Sequence, residues 1–340
     1  MACSHGKVLL AAAVCAAGLF IVNPGVAAAD PVISSGQPLA NTVAADGSKL
    51  TSFTVVDPRT IEMSVHSAAM NRDVPVRVQR PADTSQPRPA LYLLDGENRR
   101  QVTDGMQFLS DKNVNVVIPT GGENAYWTDW RNPDPKLGVN KWATFLSREL
   151  PPIINSALGT NGRNAAAGIS RTGTAALQLA AENPGLYKAV AVYSGCADTG
   201  DPLGQAIVRA SMMEYGQGDA DNMWGPPLDP EWAAKDVTQH PESLRGVDMF
   251  ISNGSGLPGR YDTLANPYFN NDVMKLADQI VVGGALEGAI NLCAHKLQAS
   301  LAAANIPATF DFRPNGTHAW SYWQDDFKTS WPVLAHGLGL

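Results

Sequence analysis

The sequence has few of the residues on which several large functional classes depend. Charged residues make up 17% of the 340 residues, and the formal net charge is -7, with no long run of basic residues. Phosphate binding requires clustered Lys and Arg, so nucleic acid is not expected as the main partner. Hydrophobic residues reach 44%, which is typical of a globular protein with a sizeable core.

The chain also lacks an apolar run long enough for an ordinary membrane span. Lys7 is the only cation before the apolar run Val8–Val22, and the small residues Val26–Ala29 follow. A retained anchor is the alternative interpretation, but a spanning helix needs ~20 apolar residues. The pattern therefore predicts a secretory signal peptide cleaved near Ala29 and a secreted or cell-envelope protein.

Cysteine is scarce as well. Two of the four cysteines lie in the predicted signal peptide, which leaves Cys196 and Cys293 in the mature chain. Neither has the spacing of a metal ligand. An exported protein folds in an oxidising compartment, so the pair is expected to form a disulfide, with two separate buried thiols as the alternative.

Strand and helix patterns alternate along most of the chain. Residues 30–52 are predicted to be a loose lead-in, and 53–340 a single catalytic domain. Region 198–243 interrupts the alternation and is interpreted as an insertion over the carboxyl edge of the sheet.

The alternation predicts an α/β fold with a mainly parallel central sheet and helices on both faces. Strands and helices are predicted at Ile61–His66, Val74–Gln79, Pro89–Leu94, Val114–Ile118, Trp142–Ala157, Asn164–Ala167, Thr172–Glu182, Ala189–Tyr193, Val247–Ile251, Ala285–Ala304 and Ala308–Phe312.

Ser170 is the candidate nucleophile because it lies between a predicted strand and a predicted helix. The segment reads Gly-Ile-Ser-Arg-Thr-Gly from Gly168 to Gly173, so the second glycine of a G-x-S-x-G elbow comes one position late. The alternative is that Ser170 only caps the helix that follows.

A serine hydroxyl needs a base and an acid to become a good nucleophile. His318 is the expected base because it follows a predicted strand and a Pro-Asn-Gly turn. Both Asp262 and Glu287 are candidate acids, and the pattern of the residues does not decide between them. The oxyanion is expected to be bound by backbone N–H groups of Arg171 and of the Asp95–Glu97 turn.

Several segments together resemble the antigen 85 mycolyltransferases of mycolate-bearing actinobacteria. The resemblance runs from about Ser52 to the C-terminus. The shared segments are Tyr92–Gly96, Pro119–Gly122 with Asp129-Trp130, Lys141–Leu146 with Glu149–Pro151, Gly168–Ser170 with the delayed Gly173, Asp221–Pro226 with Asp229-Pro230, and Asn315–Trp320.

The resemblance implies an α/β-hydrolase fold and a Ser–Glu–His triad, in which Glu287 rather than Asp262 is the acid. It implies Glu97 and Arg171 as oxyanion donors. It also places Asp95, Asn98 and Trp320 at a sugar site, although Asn98 stands where the family has an arginine. Trp224 is a second aromatic candidate for the wall of the sugar or lipid site.

The implied activity is transfer of mycoloyl groups through a Ser170 acyl-enzyme. The substrates would be trehalose mycolates and cell-wall arabinogalactan, and no metal or other cofactor would be required. A secreted esterase with the same triad is the alternative enzyme. A non-catalytic wall- or host-binding protein is the alternative outside catalysis.

Overall fold

The computed structural model describes residues 42–94, 107–214 and 218–340. The predicted signal peptide and the candidate residues Asp95, Glu97 and Asn98 lie outside these ranges. None of the helices within them combines the length and the apolar composition that crossing a bilayer requires.

A nine-stranded sheet forms the centre of the molecule, in the order β1-β2-β3-β5-β4-β6-β7-β8-β9. The first three strands and β5 pair antiparallel, whereas β5, β4, β6, β7, β8 and β9 run parallel. The predicted mainly parallel α/β sheet is therefore confirmed. The strands are β1 Lys49–Asp57, β2 Thr60–Ser67, β3 Arg72–Gln79, β4 Ala90–Leu94, β5 Asn115–Pro119, β6 Asn164–Ile169, β7 Tyr187–Tyr193, β8 Asp248–Asn253 and β9 Thr309–Phe312.

The helices lie in the connections between the parallel strands, except the last one, which follows β9. They are α1 Trp142–Thr144, α2 Leu150–Leu158, α3 Arg171–Glu182, α4 Pro202–Glu214, α5 Ala220–Trp224, α6 Pro230–Ala234, α7 Val273–Asp278, α8 Gly284–Ala303 and α9 Trp320–Leu338. Two π-helical turns, Phe145–Glu149 and Gln279–Gly283, lead into α2 and α8. Short 3-10 turns lie at Leu109–Asp111, Glu123–Ala125, Val237–Gln239, Pro241–Leu244 and Pro267–Phe269.

Side chains of the central strands point alternately to two apolar layers, as the two-residue period of a strand requires. In β6, Ala166 lies in the cluster that includes residues of α2, α3 and α8. Its neighbours Ala165 and Ala167 lie in the opposite cluster, which includes residues of α9. Both faces of the sheet are therefore covered, which explains why its strands are nearly continuous apolar runs.

The order of the strands indicates at which edge of the sheet a ligand would bind. Strand β4 pairs with β5 on one side and with β6 on the other, so the strand order reverses there. In open parallel sheets, the crevice at the carboxyl ends beside such a reversal is where ligands bind. Strand β6 ends at Ile169, so Ser170 stands at this edge.

Two parts of the chain differ from the expectation. Strand β1 begins at Lys49, so the last residues of the predicted lead-in belong to the sheet. Helix α9 was not predicted, although Trp323, Phe327, Leu334 and Leu338 repeat at helical spacing and pack on the sheet. Pro332 lies inside this helix, and proline is a residue that usually ends one.

Candidate active site

Ser170 connects β6 to α3 in a strained backbone conformation. Its φ is 54° and its ψ is -126°, a region that non-glycine residues rarely occupy. Such strain persists only where the surrounding structure enforces it, and it is typical of functional sites. The side chain of Ser170 makes no capping hydrogen bond to α3. The helix-cap alternative therefore does not account for this serine.

Glycines on both sides of the turn explain why the second glycine comes late. A Cβ on Gly168 would lie 2.2 Å from the carbonyl oxygen of Thr172, and one on Gly173 would lie 2.9 Å from that of Gly168. The close approach is thus between Gly168 and the Thr172–Gly173 backbone. At the usual glycine position, the Thr172 hydroxyl donates a 2.8 Å hydrogen bond to the carbonyl of Leu94. This bond fastens the elbow to β4.

His318 lies on the loop between β9 and α9, opposite the serine. Its Nε2 is 3.0 Å from Ser170 Oγ. The backbone of His318 is fixed on both sides, since its N–H donates to the carbonyl of Gly283 at 3.1 Å and its carbonyl accepts from Gln279 at 2.9 Å. The π-helical turn before α8 therefore holds the histidine loop.

Glu287 lies in the first turn of α8 and is fully buried. Its Oε2 is 2.7 Å from His318 Nδ1. Its Oε1 accepts from the Ser194 hydroxyl at 2.7 Å and from the backbone N–H of Gly254 at 2.6 Å. A buried carboxylate must be hydrogen-bonded to be stable, and these contacts satisfy both oxygens.

Ser194 and Trp323 close a ring of contacts that was not predicted. Ser194 directly follows β7, has a φ of 53° and is fully buried. The indole N–H of Trp323 donates to the Ser194 hydroxyl at 2.8 Å, and the Trp323 ring packs edge-on against the His318 ring at 4.7 Å. One feature of the sequence could have indicated the role of Trp323. It lies five positions after His318, near the junction between the histidine loop and α9.

Asp262, the other candidate acid, supports the same loop from a different direction. Its carboxylate accepts from the Thr317 hydroxyl at 2.6 Å, from the Tyr322 hydroxyl at 2.7 Å and from the backbone N–H of Gly259 at 2.8 Å. Two of these partners, Thr317 and Tyr322, flank His318 along the chain. Asp262 is thus committed to hydrogen bonds other than one with the imidazole.

The other histidines of the described chain lie away from Ser170. His66 pairs with Asp73 at 2.9 Å, and His336 pairs with Asp248 at 2.6 Å. His295 stacks on Phe312 with ring centroids 4.1 Å apart. His240 is exposed after the Val237–Gln239 turn.

A disulfide joins Cys196 and Cys293, as predicted from the sequence. Cys196 lies two residues after Ser194, and Cys293 lies on α8 beyond Glu287. Lys296, also on α8, adds a 2.6 Å ion pair with the buried carboxylate of Asp198. Burial raises the pKa of Asp198, and the bond from Lys296 opposes that rise. The cross-link and the ion pair hold the acid-bearing helix against the end of β7.

The remaining candidates fall in three places. Arg171 is the first residue of α3 and is buried, and its guanidinium donates to the side-chain amide oxygen of Asn124 at 3.4 Å. Trp320 begins α9, half-buried, with its ring 6.3 Å from that of Trp323. Trp224 is fully buried between Tyr126 and Trp232, which favours plain packing over a place in the wall of the sugar or lipid site.

A serine held at positive φ where a central strand turns into a helix is the nucleophile elbow of the α/β-hydrolase fold. The sheet topology and this elbow together assign the protein to the α/β-hydrolase fold class. The Esterase family model matches residues 67–333. The chain therefore belongs to the esterase family, among the relatives of the Ag85 mycolyltransferases, which confirms the resemblance.

Curated relatives and solved structures agree with this assignment. Diacylglycerol acyltransferase/mycolyltransferase Ag85B of Mycobacterium avium is 31% identical over 291 residues, covering 82% of this chain and 83% of the relative. Ag85A of Mycobacterium leprae is 31% identical over 292 residues, with 82% and 83% covered.

Among solved structures, MPT51 (FbpC1) of Mycobacterium tuberculosis has a TM-score of 0.64 at 24% identity, covering 80% of this chain and 96% of that one. An S-formylglutathione hydrolase from Agrobacterium tumefaciens has a TM-score of 0.58 at 15% identity, covering 85% and 99%. These two likenesses show the fold.

Proposed function

We propose that the protein is an exported serine acyltransferase that moves mycoloyl groups between trehalose esters or to a cell-wall polysaccharide. The observation that carries the proposal is the continuous contact from Ser170 Oγ through His318 to Glu287, with distances of 3.0 and 2.7 Å. Relatives named acyltransferase/mycolyltransferase support the class of acyl group.

Acylation would begin at the strained serine. Ser170 Oγ attacks the ester carbonyl carbon as His318 Nε2 takes its proton. The carbonyl π electrons move to oxygen, and backbone N–H groups of Arg171 and Glu97 would stabilise that charge. When the intermediate collapses, the ester C–O bond breaks and His318 returns the proton to the departing sugar hydroxyl. The acyl-enzyme and a free sugar remain.

Transfer would reverse these steps with a new acceptor. A hydroxyl of a second trehalose ester or of arabinogalactan gives its proton to His318 and attacks the Ser170 ester. Collapse forms the new ester and restores the serine hydroxyl. Throughout, Glu287 would hold the imidazole in the tautomer with the proton on Nδ1 and stabilise the imidazolium.

The acceptor site is proposed from the residues that the resemblance assigns to sugar binding. Asp95 would hydrogen-bond a sugar hydroxyl, and Trp320, half-buried beside the histidine loop, would offer a ring face to the sugar or to the lipid. Asn98 would take the place of the family's arginine, with a neutral amide in place of a cation.

Export is proposed on two observations. The N-terminal residues carry the composition of a signal peptide. The Cys196–Cys293 disulfide is the kind of bond that persists in oxidising compartments. N-terminal sequencing of the protein from culture fluid and cell envelope should begin near Asp30.

Product analysis tests transfer against hydrolysis. The protein is incubated with a trehalose monoester, with and without added trehalose, and the products are separated by mass. A diester together with released trehalose supports the transferase. Free fatty acid alone, with no diester at any acceptor concentration, would show a hydrolase with the same three residues.

A further inference from the structure

A buried ion pair lies behind the carboxylate of Glu287. Arg313, the residue after β9, donates from Nη1 to both carboxylate oxygens of Asp326 on α9. Its Nη2 is 3.9 Å from Glu287 Oε1. The Arg313 side chain is 16% exposed, that of Asp326 is 3% exposed and that of Glu287 is 0% exposed. The guanidinium thus contacts the two carboxylates through different nitrogens.

Few other polar groups surround the Arg313–Asp326 ion pair in the described residues. Ser252 on β8 donates to Asp326 at 2.8 Å, and the Arg313 guanidinium lies over the Tyr322 ring, 5.4 Å from its centroid. The other ionisable groups that face Asp326 are Asp311 of β9 and Tyr193 of β7. In the part of the chain that the structure describes, Nε and Nη2 of Arg313 form no hydrogen bond. Nη2 therefore acts on Glu287 through its charge.

We propose that Arg313 is a positioning residue that sets the pH at which His318 becomes protonated. It does so because its guanidinium cation interacts with the carboxylates of both Glu287 and Asp326. This inference rests on the proposed function, in which His318 must be neutral to accept the proton of Ser170. A cation beside Glu287 stabilises the ionised carboxylate but opposes a second positive charge on the imidazole. Ionised Asp326 offsets that cation.

Asp326 itself changes charge in the mildly acidic range. Burial raises the pKa of Asp326 to about 6, against the lowering effects of Arg313 and Ser252. Below that pH, the neutral Asp326 leaves the charge of Arg313 uncompensated, and protonation of His318 becomes less favourable. The two protonations therefore oppose each other, which widens the pH range in which the histidine can act as a base.

The test measures kcat/KM against pH, whose acid limb reports the pKa of the base in the free enzyme. Asp326→Asn leaves Arg313 uncompensated, so its acid limb moves to lower pH by about one unit. Arg313→Gln removes the cation, and the buried Asp326 then takes up a proton, so the limb moves to higher pH. The double variant Arg313→Gln/Asp326→Asn should follow Arg313→Gln.

Arg245→Gln is the matched control. It removes one positive charge from an exposed pair with Glu242, in the turn before β8, and should leave the acid limb where it is. Opposite shifts of the two single variants, with the control unmoved, support the proposal. A limb that moves upward or stays unchanged in Asp326→Asn would overturn it. A purely structural role would lower activity at every pH without opposite shifts.

Covalent labelling of Ser170 with a fluorophosphonate separates this inference from the function on which it rests. Labelled variants with an unshifted limb contradict the role of Arg313 and leave the acyltransfer mechanism standing. Failure to label the wild-type protein would overturn the mechanism, and the role of Arg313 with it. The single variants give independent shifts, so loss of folding in one leaves the other as the test.

Discussion

The hydroxyl of Ser194 donates a 2.7 Å hydrogen bond to Glu287 Oε1, while Glu287 Oε2 lies 2.7 Å from His318 Nδ1. The end of β7 therefore orients the carboxylate that faces the histidine. Ser194 also accepts the indole N–H of Trp323, whose ring packs on His318. Two successive parallel strands, β6 and β7, are thus each followed by a serine with positive φ at the same site.

Ser194→Ala should lower kcat by about 10- to 100-fold, because one hydrogen bond to a charged group contributes roughly 1.5–3 kcal/mol and about 1.4 kcal/mol corresponds to a factor of ten. It should also leave the buried Trp323 N–H without its acceptor, which lowers the free energy of unfolding by about 1–3 kcal/mol. Steady-state kinetics and denaturant unfolding measure the two effects.

Ser194→Gly is the comparison for that variant. Glycine accepts the positive φ without strain but also lacks the hydroxyl, so its kcat should fall as far as that of Ser194→Ala. Equal activity of Ser194→Ala and wild type would show that the hydrogen bond to Glu287 contributes nothing to catalysis.

Glu287→Gln should reduce kcat by about 10³- to 10⁴-fold with little change in KM, because a neutral amide no longer stabilises the imidazolium or fixes its tautomer. Asp262→Asn is the matched control, since this carboxylate binds Thr317, Tyr322 and the Gly259 N–H and not the imidazole. The two variants should separate clearly in kcat at equal folding. A greater loss in Asp262→Asn would assign the acid to Asp262.

Replacement of Cys196 and Cys293 together by Ala should lower stability by about 2–5 kcal/mol, because the cross-link closes a long loop and restricts the unfolded chain. Their separation in sequence is 97 residues. The Tm should fall, and kcat should fall with it if α8 loosens around Glu287. Thiol counting on the unreduced, denatured protein should find no free thiol in the mature chain, and two would contradict the disulfide.

The pH dependence of stability should carry the signature of Asp326. The pKa of this carboxyl is raised by burial to about 6 from its ordinary 3.8, so the folded state binds a proton that the unfolded state has lost. The free energy of unfolding therefore falls as pH rises between the two values, by up to about 3 kcal/mol from this group.

Urea unfolding of wild type and Asp326→Asn at pH 4, 5, 6 and 7 measures that slope. The stability of the variant relative to wild type should increase from pH 4 to pH 6 and then level off. A difference between the two proteins that stays constant with pH would show that Asp326 does not titrate in this range.

Sequence patterns predicted the parallel strands well because those strands are short apolar runs closed by turns. Strand β4 and strand β7 lie where Pro89–Leu94 and Ala189–Tyr193 indicated. Ser170 and His318 could be found for a similar reason, since each follows a strand at the carboxyl edge and chain order limits the choice.

The acid of the triad and the residues that contact it could not be predicted in that way. Glu287 is one carboxylate of many on a helix, and only its burial against Ser194 and Gly254 distinguishes it. Ser194 and Arg313 act through partners that are distant in sequence, and no local pattern records such contacts. Helix α9 was missed although its spacing was visible, because Pro332 argues against a helix there.

Mass spectrometry of the acyl-enzyme tests the central claim most directly. The wild-type protein and Ser170→Ala are mixed with a trehalose mycolate, quenched in acid and digested. The account predicts one mycoloyl ester on the peptide that contains Ser170, its disappearance when trehalose is added, and no adduct in Ser170→Ala. Turnover by Ser170→Ala at the wild-type rate, or an adduct on another residue, would contradict it.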